Sequence, residues 1–392
     1  MGRKKDLTPF IASIAAILFG LIFGFIILLI SNPNEAFAGF GTILTGSLTH
    51  GLKGIGDVLY YATPLILCGL SVGFAFKTGL FNIGGSGQFL VGAFGAVVVG
   101  LTCEFLGDFQ WVVALLFAIL LGAIWGAIPG ALKAFFNVNE VITCIMLNYI
   151  ALFLVNMIVQ SSDVLFNKNQ NWSQNIPAAA NIPTLELNKI FANYDVRAGK
   201  VISKFSSVNS GIVIAILVAV LLYIVLEKTT FGYELKACGL NKIASRYAGI
   251  NENRSIVLSM VIAGAVAGLA GGIMLLSGTG RHIEIKDLIP SEGFNGISVA
   301  LLGVNNPIGI IFSGLFIAFL SNGGFYLQKF SFSKEIIDII IAIIIYFSAF
   351  ALIIKMILSK FSKTPPDREI IAVQKALHDS EKKDQINKEK GV

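Results

Sequence analysis

Long uninterrupted apolar runs constrain this chain more than any other feature of its sequence. A helix needs about 20 apolar residues to cross a bilayer, and the runs here are continuously apolar rather than alternating, which favours helices. Charged residues make up 13% of the 392 residues, whereas soluble domains usually carry about 25%. We therefore predict an all-α polytopic membrane protein.

Apolar segments predict about ten transmembrane crossings, at 9–30, 59–77, 83–104, 111–132, 141–160, 211–227, 254–277, 289–304, 307–328 and 335–356. The first is too long for the core of a signal peptide and no small-residue cleavage site follows it, so we expect a retained anchor. Residues 278–304 are glycine-rich and short, and they form either a full crossing or a broken or re-entrant one. Residues 31–58 form an external loop or a helix in the interface.

The distribution of Lys and Arg predicts the orientation. Nineteen of the 29 basic residues fall in segments that this threading places in the cytoplasm when the N-terminus is inside, and cytoplasmic flanks collect positive charge. We predict a cytoplasmic N-terminus (1–8), a transmembrane domain (9–356) with a long external loop (161–210), and a charged cytoplasmic tail (357–392). Membrane flanks thus account for the net charge of +6, and no nucleic-acid partner is expected.

Ionisable residues lie at the ends of the predicted spans rather than inside them. Ion-coupled carriers usually hold such residues at membrane depth, so their position weakens the case for a secondary transporter, although a sodium site made of backbone groups keeps that alternative open. The sequence contains no Gly-x-x-x-x-Gly-Lys-Ser/Thr phosphate loop. The four cysteines lack metal-ligand spacing. We predict neither a catalytic nor a metal site in this chain.

A polar, cationic segment at 231–252 separates two apolar spans. Its central part reads Tyr-Glu-Leu-Lys-Ala-Cys-Gly-Leu-Asn-Lys-Ile-Ala-Ser-Arg-Tyr-Ala-Gly. We expect Gly239 to interrupt a first helical stretch and Asn241 to cap a second helix. Ala244 and Tyr247 would then share one face of that helix, where a small residue beside an aromatic suits the grip of a soluble partner. A solvated connector is the alternative interpretation.

Residues 235–250 resemble the coupling segment of permease subunits of ABC importers for ribose, branched-chain amino acids and nucleosides. The family's usual pattern is Arg-Ala-x-Gly-x-Asn-x-x-Ala-Ala-x-Tyr-x-Gly-Ile, and this chain has Lys236 and Ser245 where Arg and Ala are common. In that family the segment docks into a groove on the ATPase subunit. The resemblance therefore implies an ATPase-coupling site made of Glu234, Lys236, Ala237, Gly239, Asn241, Ala244, Tyr247 and Gly249.

Two further stretches narrow the resemblance. Residues 79–93 are similar to the family's Gly-Leu-Phe-Asn-Ile-Gly-x-Glu-Gly-Gln segment, with Ser86 in place of the frequent Glu. Residues 145–151 and the long loop that follows resemble the larger of two nucleoside permease subunits. The resemblance covers about 55–350 and implies an ATP-driven importer of nucleosides. The same machine carrying ribose-type sugars or branched-chain amino acids is the alternative, and an ion-coupled secondary transporter is less favoured.

The resemblance also implies the partners of the chain. ABC ATPase subunits would bind ATP and Mg²⁺, so this chain would be non-catalytic and hold no cofactor itself. A second, non-identical permease would complete the path, and an extracytoplasmic substrate-binding protein or lipoprotein would deliver the nucleoside. The expected location is the cytoplasmic membrane of the cell.

Amide side chains are predicted to line the path, because they bond sugar hydroxyls and base edges without the desolvation of a buried charge. The residues chosen on this ground are Asn82, Gln88, Asn148, Asn295 and Asn322. Hydrogen bonding between helices is an equally good interpretation of each. Segments 79–92 and 293–303 share Phe-Asn followed by glycine and small residues, which indicates an internal repeat around a central path, with chance similarity as the alternative.

Overall fold

The computed structural model describes residues 8–197 and 200–349, which form a helical protein with two small β-hairpins. Its helices are α1 Thr8–Ser31, α2 Ala36–Thr49, α3 Gly51–Lys77, α4 Gly85–Thr102, α5 Gln110–Phe136, α6 Glu140–Ser161, α7 Leu187–Ile190, α8 Gly211–Lys228, α9 Thr230–Leu240, α10 Lys242–Tyr247, α11 Glu252–Leu275, α12 Ser291–Leu302, α13 Pro307–Phe325 and α14 Lys334–Ala349. Its strands are β1 Phe166–Asn167, β2 Trp172–Ser173, β3 Asn193–Arg197 and β4 Lys200–Lys204. The predicted N-terminal segment, apart from Thr8, and the predicted tail lie outside the described residues.

The polytopic, all-α prediction is confirmed. Within the described residues, seven helices are long and apolar enough to cross a membrane. Helix α12 has only 12 residues, about 18 Å at 1.5 Å per residue, against a hydrocarbon thickness of about 30 Å. The structure therefore favours a broken or re-entrant segment at 278–304. The count of ten crossings and the orientation stay predictions, and the last predicted span (335–356) is described only as far as Ala349.

The region between the first two predicted spans is more helical than its polar residues indicate. Helix α2 occupies its middle, and α3 begins at Gly51, eight residues before the predicted start at 59. Charged residues in the first two turns of α3 are paired, because Lys53 Nζ lies 2.5 Å from Asp57 Oδ2. Asp57 Oδ1 also accepts a hydrogen bond from the Ser207 backbone N–H at 2.9 Å. These bonds extend the helix beyond the apolar run.

Helices α4, α5 and α11 pack backbone against backbone through glycines. A Cβ atom built on Gly268 of α11 would lie 2.4 Å from the Ala118 carbonyl oxygen of α5. One built on Gly264 would lie 2.3 Å from the Gly122 oxygen, and one on Gly92 of α4 would lie 2.3 Å from Gly268 Cα. Close packing of this kind drives helix association in a membrane, because moving apolar surface from lipid into a protein interface releases little free energy.

The external loop predicted at 161–210 folds onto the segment between α11 and α12. Strands β1 and β2 form an antiparallel pair, and β3 and β4 form a second one. The Ser173 N–H donates to the Ile283 carbonyl at 2.9 Å, and the Ile285 N–H donates to Asn171 at 3.2 Å. The first hairpin therefore holds the connection 276–290 in place.

The glycine contacts predict the effect of one substitution in the helix core. Gly268→Val forces α5 and α11 apart, and overpacking of this kind costs about 1–3 kcal/mol. We expect the purified protein in detergent to unfold at a lower temperature, measured by the loss of its monodisperse size-exclusion peak on heating. Gly41→Val in α2 is the matched control, because a Cβ there would have no atom within 4 Å. Equal unfolding temperatures for the two variants would contradict the packing described here.

Candidate coupling site and translocation cavity

The polar segment 231–252 forms two short helices against the end of α3. Helix α9 starts at Thr230, where Thr229 Oγ1 accepts a hydrogen bond from the Gly232 N–H at 3.1 Å. The prediction that Gly239 interrupts this helix is wrong, because α9 continues to Leu240. Gly239 instead contacts the residues after α3, and a Cβ there would lie 2.7 Å from the carbonyl carbon of Thr78. Its small size serves close approach rather than a break.

The predicted cap of the second helix is confirmed. Asn241 Oδ1 accepts a hydrogen bond from the Ala244 N–H at 3.0 Å and starts α10. Gly249 follows α10 with a φ of +82°, a left-handed conformation that favours glycine. Asn251 Oδ1 then accepts from the Arg254 N–H at 3.1 Å and starts α11. Each turn of the segment is therefore specified by a local residue.

Four large apolar side chains of the segment are exposed. Leu240 and Tyr247 are 87% and 91% exposed, and Tyr233 and Ile243 are also largely exposed. We call these four residues the exposed apolar patch. Exposed apolar clusters mark interaction surfaces. The sequence prediction included Tyr247 and missed the others, although the i,i+4 spacing of Ile243 and Tyr247 was a usable signal.

The remaining predicted coupling residues differ in their surroundings. Glu234 and Ala244 are exposed and Ala237 is partly buried. Lys236 Nζ lies 3.1 Å from Glu227 Oε2 at the end of α8, which ties α9 to that helix. The structure thus brings all eight predicted residues into one compact segment, and their contact with an ATPase stays a prediction.

Four of the five predicted path residues hydrogen-bond to other groups of the protein. Asn82 and Gln88 exchange two hydrogen bonds, of 2.8 Å and 3.1 Å. Asn148 on α6 accepts from the Gly87 N–H at 2.8 Å and donates to the Ile83 carbonyl at 3.1 Å. Asn322 on α13 donates to Ser47 Oγ on α2 at 3.2 Å. These bonds favour the interpretation as inter-segment hydrogen bonds, and a role in the path stays a prediction.

The two segments predicted as an internal repeat meet in the structure. A Cβ built on Gly293, in the first turn of α12, would lie 2.3 Å from the backbone nitrogen of Ser86 at the start of α4. The first turns of two helices are therefore in contact. Discontinuous helices that meet in this way occur near substrate sites of transporters. The repeat itself stays a prediction.

A cavity opens beside α3, α11 and α12, and it encloses about 720 Å³ of empty space including the part open to solvent. Among the described residues, Asn295 is the one predicted path residue that lines it. The other polar lining residues are Tyr60, Tyr61, Thr63, Asn209, Arg281, Glu292 and Ser321. Charged residues at span ends were interpreted as membrane flanks, so Arg281 and Glu292 were missed. Under the predicted orientation the cavity lies on the external side.

Tyr60 organises the polar wall of this cavity. Its hydroxyl lies 2.8 Å from Thr279 Oγ1 and 3.3 Å from Ser277 Oγ, and it interacts with the Arg281 guanidinium. Burial opposes the positive charge of Arg281, but Tyr60, Tyr61 and Glu292 outweigh it and hold the Arg281 pKa above its ordinary value.

Residues 54–349 match the family described as "Branched-chain amino acid transport system / permease component". The chain belongs to this family. It is a multi-pass protein of the cell membrane and a permease component of a transport system, as its sequence predicted. No solved structure matches the chain at a significant level.

Several named permeases are similar to this chain along most of its length. It is 38% identical to the guanosine ABC transporter permease protein NupP of Bacillus subtilis, over 92% of this chain and 98% of NupP. It is 36% identical to the nucleoside ABC transporter permease protein NupB of Lactococcus lactis, over 91% and 94%. The glucose permease TsgB13 of Haloferax volcanii is 32% identical, over 87% and 86%. The guanosine permease NupQ of B. subtilis and the nucleoside permease NupC of L. lactis are 29% and 28% identical, each over 67% of this chain.

The amide pair of Asn82 and Gln88 generates a prediction. Asn82→Leu leaves the buried Gln88 amide without its partner, which costs about 1–3 kcal/mol, so we expect a lower unfolding temperature. Asn82→Leu combined with Gln88→Leu removes both polar groups and recovers part of that loss. Thermal unfolding of the single and double variants in detergent measures the difference. If the double variant loses, relative to the wild type, the full sum of the losses measured for Asn82→Leu and Gln88→Leu separately, the pairing is contradicted.

Proposed function

We propose that this chain is the membrane-spanning permease subunit of an ATP-driven ABC importer and that it forms the translocation path for nucleosides. The observation that carries the proposal is the match, along nearly the whole chain, to permeases named for guanosine and nucleosides. The cavity supports it, since tyrosines, amides and hydroxyls suit an uncharged base and sugar. The glucose permease among the relatives keeps a sugar as the second possible substrate. Branched-chain amino acids and ion-coupled transport are less favoured.

Helix α3 provides the mechanical link in this proposal. The exposed apolar patch would sit in a groove of the ATPase and move with it when ATP binds. Helix α9 touches the end of α3 at Gly239, and Thr78 Oγ1 lies 2.5 Å from Ser259 Oγ of α11. Tyr60 lies near the other end of α3 and lines the cavity. Displacement of α9 would therefore reach the cavity through one continuous helix.

Pro64 gives that helix a point at which it can bend. It lies inside α3 and lines the cavity. A proline in a helix interior lacks one backbone donor and disturbs the preceding turn. We infer that the outer half of α3 tilts about this residue when the cytoplasmic end is displaced, and that the cavity opens or closes with it.

The proposed complex contains several partners. ATPase subunits would bind ATP and Mg²⁺ and hydrolyse the nucleotide, and this chain would hold no cofactor. A second, non-identical permease would complete the path; the paired permeases of B. subtilis and L. lactis support this arrangement. A substrate-binding protein or lipoprotein would dock on the external face. Loose binding in the permease suffices when such a protein captures the substrate.

Uptake measurements test the proposed function. Labelled guanosine, adenosine, uridine, ribose and leucine are offered to cells with and without the gene, with ATP depleted while ion gradients are held externally. We expect loss of nucleoside uptake in the deletion strain and in wild-type cells without ATP. Loss of ribose or leucine uptake alone would move the substrate to another class. Nucleoside uptake that persists without ATP and follows an ion gradient would contradict an ABC importer.

The exposed apolar patch generates a second test. Tyr247→Asp places a charge in the centre of the proposed ATPase contact, and loss of a buried aromatic anchor costs about 2 kcal/mol or more. We expect copurification of the ATPase to fall at least about tenfold. Tyr194→Asp is the matched control, because Tyr194 is also largely exposed but lies in β3. Full copurification with Tyr247→Asp would refute the docking surface.

A further inference from the structure

The cavity contains one positive and one negative side chain that do not pair with each other. Arg281 and Glu292 both line it, and within the described ranges the ion pairs closer than 4.0 Å do not include these two. Partly buried charges usually have a partner. Two opposite charges that share a cavity without direct contact suit a ligand that presents acceptors to one and donors to the other.

Arg281 is positioned by Tyr60 and by its own loop. The Tyr60 hydroxyl interacts with the guanidinium, whose five N–H donors leave several for a ligand. The loop that carries Arg281 is bonded to the first hairpin, where the Ile283 N–H donates to Ser173 Oγ at 3.1 Å. A guanidinium fixed in this way recognises planar, paired acceptors.

Glu292 lies in the first turn of α12, where the helix dipole favours a negative charge. Its ionised carboxylate only accepts hydrogen bonds. Asn295 is three residues later, on the same side of the helix, and also lines the cavity. One wall therefore offers a carboxylate beside an amide.

An aromatic surface completes the site. Tyr61 lines the cavity and is 39% exposed, whereas Tyr60 beside it is buried. Their ring centroids are 5.2 Å apart in an edge-to-face arrangement. An exposed ring of this kind stacks equally well on any nucleobase. Discrimination between bases must therefore come from the charged side chains.

We propose that this cavity is a subsite for 6-oxopurine nucleosides, in which Arg281 donates to O6 and N7 and Glu292 accepts from N1–H and, in guanosine, from the 2-amino group. The inference rests on the proposed nucleoside transport. Arg forms bidentate bonds to O6 and N7 of guanine, and a carboxylate matches two parallel N–H donors. Adenosine presents an amino group at position 6 and no N1–H, and uridine has no N7. Both therefore leave at least one charge without its partner.

Ligand-observed NMR on the purified permease–ATPase complex in nanodiscs, without the binding protein, tests this subsite. Saturation transfer to guanosine, inosine, adenosine, uridine and leucine is measured for the wild type, Glu292→Gln and Arg281→Lys. We expect the wild type to prefer guanosine and inosine. Each variant lowers the ratio of guanosine to adenosine binding about tenfold, because one charge-assisted pair is lost. The ratio is taken within one preparation, so differences in yield do not affect it.

Glu284→Gln is the matched control, because Glu284 lies in the same loop and pairs with Lys286 at 2.5 Å on the exposed surface. It should keep the wild-type ratio. A wild-type ratio in both Glu292→Gln and Arg281→Lys would overturn the subsite while nucleoside uptake by cells stands. Leucine binding that Glu292→Gln abolishes would assign the cavity to amino acids and overturn it as well. Absence of nucleoside uptake by wild-type cells is the separate result that rejects the transport function.

Discussion

Lipid gives the peptide backbone no hydrogen-bond partner, and the rest of this structure depends on that constraint. Helices satisfy it individually, but apolar surfaces gain little by leaving lipid, so the helices associate through close packing and a few polar bonds. The glycine contacts among α4, α5 and α11 provide the close packing. The hydrogen bonds of Asn82, Asn148 and Asn322 provide the polar contacts. Together they form the frame of the helical core.

Helix α3 crosses that frame and belongs to both functional regions. Its C-terminal end touches α9 at Gly239, and its N-terminal half carries Tyr60 and Tyr61 at the cavity. A helix transmits displacement along its axis, and a proline within it sets the point at which it bends. In the proposed mechanism, α3 alone therefore connects the ATPase contact to the substrate subsite, without a chain of side-chain contacts.

The sequence predicted elements wherever the cause was local. Long apolar runs indicated most of the helices, and Asn241 indicated the start of α10, because its side chain caps the chain beside it. Prediction from the sequence failed where a contact between distant parts of the chain determines the structure. Gly239 was assigned to a break, since the approach of Thr78 is invisible in the sequence. Residues 51–58 were predicted to form an external loop or an interfacial helix, because the hydrogen bond between Asp57 and the Ser207 backbone forms only in the fold.

The same distinction explains the path residues. Amides were chosen because they can bond sugar hydroxyls and base edges without the desolvation penalty of a buried charge, yet four of the five bond to groups within the protein. A residue already satisfied by its neighbours has little left for a substrate. Arg281 and Glu292 have the opposite property: they lie where the cavity is open, so hydration lowers the penalty of leaving their charges apart. The candidate substrate site is therefore marked by charged side chains that face an open cavity without pairing with each other, rather than by polar residues inside a span. This arrangement is apparent only in the folded structure, where the loop 276–290 lies against α3.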